Sequence, residues 1–175
     1  MKNFNIFVLV LMFPLICWAK LAPSEWSDLE SESELIVYAI AKEIKISEQG
    51  DGSAKLRVLD TIRGHNDERF VTVVWGSEFH DQRIYEANAR FILFLKKGKD
   101  DTYIGTSYGR SFWKMFYNYM DEDRSFVELN GPLGLIKNTP AQVTESLYKE
   151  ECGVKSNYET RRIYIKDLVN YLKKT

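Results

Sequence analysis

From Leu35 to Ile46 the chain alternates for twelve residues, with Ile36, Tyr38, Ile40, Ile44 and Ile46 on one parity and Ala39 and Ala41 on the other. Side chains two apart share a face only in extended backbone, so a period of two commits this stretch to a sheet. Gln49-Gly50-Asp51-Gly52 interrupts the pattern, and residues 54–62 return as a second apolar run. Two strands around such a turn predict a hairpin.

The rest of the chain extends that start. Residues 69–75 are rich in β-branched and aromatic side chains and read as a third strand. Residues 90–95 are almost wholly apolar, which in so short a run predicts a strand buried on both faces. Further short strands are predicted at 103–106, 111–117 and 125–129, separated by polar or glycine-containing turns. Short strands without long interleaved helices predict a mainly β fold, a small antiparallel barrel or sandwich, and closure of a barrel would also hide the sheet edges. Helices are expected only at the two ends. Trp26 and Leu29, three apart behind Pro23, predict a short helix over 24–33 capped by Ser24. Thr139-Pro140-Ala141-Gln142 has the pattern of a helix start, predicting a helix from Pro140 to Cys152, and Leu168, Val169 and Leu172 predict a last one from Ile165 to Lys173. Residues 139–175 are thus read as a C-terminal helical extension of a single domain spanning 20–175.

The first nineteen residues carry Lys2, an apolar run from Ile6 to Leu15 and the small residue Ala19, the layout of a secretory signal peptide cleaved after Ala19. The expected location is therefore secreted or periplasmic. No stable membrane span remains once this segment is gone. The mature chain would keep only Cys152, so no intramolecular disulfide can form and stability must come from the core. With 24 Lys plus Arg against 25 Asp plus Glu, the overall charge gives no electrostatic basis for nucleic-acid binding.

The segments Ser33-Glu34-Leu35-Ile36-Val37-Tyr38-Ala39, Leu56-Arg57-Val58-Leu59-Asp60-Thr61-Ile62-Arg63-Gly64, Ala89-Arg90-Phe91-Ile92-Leu93-Phe94-Leu95 and Tyr103 to Gly105, in that order, resemble the netrin-like module of tissue inhibitors of metalloproteinases (TIMP) and their exported bacterial relatives. The resemblance covers residues 24 to about 117 and implies a five-stranded barrel of the OB type. It departs at the amino terminus. The animal inhibitors begin with a cysteine that grips the protease zinc, whereas the mature start here is Lys20-Leu21-Ala22-Pro23. The fold is expected to carry over without the inhibitory chemistry.

Catalytic candidates are few. His65 and His80 stand fifteen apart with no second ligand at metal spacing, and no phosphate loop, serine elbow or paired cysteines occur, so no metal or other cofactor is expected. Glu78, His80 and Asp81 in a polar loop are the one set that joins a general base to carboxylates, and they support the alternative of a small extracellular enzyme. The richest feature is aromatic. Phe112, Trp113, Phe116 and Tyr117, with Arg110 and Lys114 among them, would form a ligand-binding surface if exposed and a docking face for the terminal helices if covered. The leading expectation is a non-enzymatic binding module for an unknown protein or envelope ligand. A structural accessory of the cell envelope is the third reading.

Overall fold

The computed structural model describes residues 24–77, 83–107, 110–129, 136–146 and 161–175, the last three of the 136–146 segment by backbone alone. The expected signal segment ending at Ala19, the candidate set Glu78, His80 and Asp81, and Cys152 lie outside the described residues. In chain order the elements are β1 (Ser24–Glu25), α1 (Trp26–Ser31), β2 (Leu35–Ile46), β3 (Gly52–Arg63), β4 (Phe70–Trp75), β5 (Arg90–Lys97), β6 (Tyr103–Gly105), β7 (Phe112–Lys114), a 3-10 turn (Glu122–Arg124), β8 (Phe126–Leu129), β9 (Ile136–Lys137), β10 (Thr144–Ser146), β11 (Arg161–Tyr164) and α2 (Ile165–Leu172).

Five strands close a barrel in the order β2-β3-β4-β6-β5, with β5 returning to pair with β2. This is the small OB-like β-barrel expected. One detail differs: β4 and β6 run parallel at Val73 and Tyr103. The reason is geometric, because alternating directions cannot close around an odd number of strands without one parallel joint. β2 serves two neighbours along its first half. Register shifts at Ile36/Val37, Tyr38/Ala39 and Ala41/Glu43 bend it, so that Ile36–Ile40 pair with both β3 and β5 while Glu43–Ile46 pair with β3.

Two cores result. Leu35, Val37, Ala39, Leu56, Val71, Val73, Phe91, Leu93 and Leu95 fill the barrel. Ile36, Ile92 and Phe94 point outward into a second core, covered by Trp26 and Leu29 of α1, Leu168 and Leu172 of α2, and Val127, Leu129 and Ile163. β5 is therefore buried on both faces, as its unbroken apolar run requires.

Helix expectations need two corrections. Ser24 caps nothing. It sits in β1 opposite Ile136, and its hydroxyl bonds that of Ser107 at 2.9 Å, so α1 starts later, at Trp26. The helix predicted from Pro140 is not formed in its described part. Residues 144–146 instead pair antiparallel with β11, which itself pairs with β8. Thr139, the expected cap, has its hydroxyl taken by Arg161 Nη1 at 2.9 Å, and a strand partner outweighs a local capping signal. The last helix forms as expected, with Leu168 and Leu172 buried.

Candidate functional site

The aromatic run divides at β7. Phe112 keeps 8% of its surface exposed and belongs to the barrel interior, and Trp113 keeps none. The Trp113 ring lies in the second core, and its Nε1–H donates to the Arg110 carbonyl at 2.7 Å. Neither ring can stack on a ligand in the folded protein. Of the two alternatives, the covered one holds for Trp113, over which α1 and α2 supply the apolar cover, while Phe112 turns into the barrel.

Beyond Lys114 the chain leaves the barrel and its aromatic side chains emerge. Phe116, 47% exposed, stacks on Phe126 with centroids 5.2 Å apart and planes 14° from parallel. Tyr117 is half-buried, and the Arg90 guanidinium covers its ring, 3.4 Å from the centroid. The Tyr117 hydroxyl donates to Glu122, and that bond holds its proton and raises its pKa. Arg90 also donates to the Tyr38 hydroxyl, whose pKa is raised by burial and partly restored by the arginine. Tyr119 meets Tyr117 edge-on at 4.8 Å and keeps 83% of its surface in water, and Met120 keeps 95%.

The backbone that carries these side chains is held at many points. Phe116 and Phe126 exchange both backbone bonds, at 2.8 and 3.1 Å. The Asn118 carboxamide oxygen accepts from the amides of Met120 and Asp121, while the Asn118 amide donates to Ser125 Oγ at 3.0 Å. Arg124 pairs with Asp121 at 3.2 Å, and Lys166 of α2 pairs with Asp123 at 2.6 Å. A loop fixed in this way presents Tyr119 and Met120 without an ordering cost at the moment of contact.

Of the four aromatics nominated from sequence, Phe116 and Tyr117 thus reach the surface. Tyr119 lay in the same aromatic run, but Arg90 and Met120 were not singled out. Arg90 opens an apolar strand and gave no sign that it would cover a tyrosine twenty-seven positions later. His65 Nε2 donates to the Asp67 carboxylate at 2.8 Å in an exposed segment, and among the described residues no three His, Cys, Asp or Glu side chains converge as a metal site. No family model matches the chain, and no curated protein matches it.

Proposed function

We propose that this chain is an exported, non-catalytic binding module that takes a protein partner on the loop from Phe116 to Met120. The observation that carries the reading is the exposure of Tyr119 and Met120 on a backbone held by hydrogen bonds at both ends. Large apolar side chains normally leave water, and burying two of them in a partner is worth about 1.5 to 3 kcal/mol each before binding costs. Tyrosine flanked by arginine is also the composition of interface hot spots. The closed barrel and the short helix leading into β2 support a netrin-like ancestry. The lack of a cysteine at the mature start supports binding without zinc chelation.

The test is affinity capture. Mature protein beginning at Lys20 is immobilised and exposed to the envelope and medium of its own source, in parallel with the Tyr119→Ser/Met120→Ser double variant. A partner retained by the parent and lost by the double variant is the expected result. Equal retention by both would remove this loop from the interface, and a protein still carrying Met1 in the exported fraction would remove the cleavage after Ala19.

A further inference from the structure

The chain has four methionines. Met1 and Met12 belong to the segment expected to be cleaved, which leaves Met115 and Met120 in the mature protein. The fold treats these two in opposite ways. Met115 follows β7 directly, donates its amide to the Arg90 carbonyl at 2.8 Å and keeps 5% of its surface exposed, inside the second core. Met120 keeps 95%. A thioether reacts with a peroxide only where the oxidant can reach the sulfur, so burial shields the first and leaves the second open.

The Met120 side chain is also uncoupled from the course of its loop. Its amide donates to the Asn118 carboxamide oxygen at 3.0 Å, and the Asp121 amide donates to the same oxygen at 3.2 Å. The 3-10 turn that follows is closed by the Arg124 amide on the Asp121 carbonyl and the Ser125 amide on the Glu122 carbonyl, each at 3.0 Å. None of these bonds involves the sulfur. Chemistry at Met120 therefore changes what the loop shows to a partner and leaves the backbone that shows it unchanged. The same chemistry at Met115 would force a polar oxygen into an apolar core.

We infer that Met120 is a site of reversible oxidation to the sulfoxide, and that this step switches off docking at the loop. The switching rests on the reading of Phe116–Met120 as a docking loop, whereas the oxidation site stands without it. In the forward step the sulfur lone pair attacks one oxygen of a hydroperoxide: an S–O bond forms, the O–O bond breaks, and the departing hydroxide or alkoxide takes the remaining proton and leaves as water or alcohol. The sulfur loses two electrons and the peroxide gains them. A dithiol reductant reverses the step and yields the thioether, a disulfide and water. The sulfoxide oxygen is a strong hydrogen-bond acceptor. A partner shaped to bury an apolar methionine would then have to bury an unpaired S–O dipole, which costs what an unsatisfied polar group costs.

The experiment treats mature protein beginning at Lys20 with hydrogen peroxide under native conditions and follows oxygen uptake by mass spectrometry, with peptide maps to separate Met115, Met120 and Cys152. Met120 should convert about tenfold or more faster than Met115, and the two rates should converge in denaturing urea. The protein oxidised at Met120 should melt within about 1 °C of the parent. Retention of a partner from the envelope and medium of its own source should fall about tenfold or more on oxidation, and should return after treatment with a methionine sulfoxide reductase and dithiothreitol. Met120→Leu supplies the control, because its retention, whatever its level, should be the same before and after peroxide. Native-state rates that are equal at the two methionines, or a marked fall in melting temperature on oxidation of Met120, would overturn the site. Oxidised parent that still holds its partner, or Met120→Leu that loses its partner on peroxide treatment, would overturn the switch. Absence of any partner on the reduced parent would instead strike the docking reading, and with it the switch, while the mass and melting data would still decide the oxidation site.

Discussion

Trp113 packs against Phe94 with ring centroids 4.8 Å apart and planes inclined at 51°. Trp26 lies 5.7 Å from Trp113 and 6.4 Å from Phe94, and Tyr171 meets Trp26 edge-on at 6.0 Å. One aromatic cluster therefore joins α1, β5, β7 and α2. Trp113→Ala would empty the centre of that cluster and leave the Arg110 carbonyl without its donor. The expected cost is about 3 to 5 kcal/mol. Urea unfolding measures it, and a loss below about 1 kcal/mol would mean that the terminal helix does not seal this face.

Gly64 follows β3 with φ of +84°, and a Cβ built there would lie 2.2 Å from the Glu34 carbonyl oxygen. Both the left-handed backbone and the rigid neighbour exclude a side chain. Gly64→Ala should destabilise by about 2 kcal/mol or more, beyond the 1 to 2 kcal/mol that a left-handed alanine costs by itself. Gly98→Ala is the comparison. Its nearest neighbours are the Thr102 hydroxyl at 3.0 Å and the Thr102 carbonyl oxygen at 3.2 Å, both farther than the Glu34 oxygen is from a Cβ at Gly64, so its melting temperature should fall less than that of Gly64→Ala. Equal shifts in the two variants would contradict the assigned backbone.

How far the sequence reached depended on whether the deciding interaction was local. β2 and β5 were readable because period and composition act through each residue's own burial, and the observed bounds of β2 match the alternating run. The strand at 144–146 was hidden. Its partner is seventeen or so residues away in β11, and the nearby Thr-Pro-Ala-Gln pattern pointed to a helix. The aromatic run was seen as a unit, but its division into buried Phe112 and Trp113 and exposed Tyr119 follows from where β7 ends at Lys114. Charge was the least legible. Lys45, Lys55 and Arg57 are scattered among acids in the sequence, and only the strand register collects them on one face.

Tyr38 should make stability fall at alkaline pH. Burial raises its pKa, and the Arg90 hydrogen bond and charge offset part of that shift. The folded protein therefore holds the phenolic proton more tightly than the unfolded chain does. This contribution is complete below the ordinary tyrosine value of about 10 and is lost as pH rises through the higher folded value. Unfolding free energies measured across that range should decline less steeply in Tyr38→Phe than in the parent. An equally steep decline would show that the Tyr38 hydroxyl does not govern the loss.

Tyr119 and Met120 should behave in the opposite way to Trp113. Both keep most of their surface in water in the folded protein, so truncating them removes little packing. Tyr119→Ala/Met120→Ala should leave the unfolding free energy within about 0.5 kcal/mol of the parent. Asn118→Ala is the informative companion. It deletes the oxygen that accepts from Met120 and Asp121, freeing the loop while leaving the Tyr119 and Met120 side chains in place. If the held loop is what makes these side chains a binding anchor, Asn118→Ala should weaken partner capture nearly as much as the double truncation, with binding lost through ordering cost and not through lost contacts. Full capture by Asn118→Ala would show that the two side chains suffice without a preformed loop, and a large drop in melting temperature for the double variant would place them in the packing of the fold.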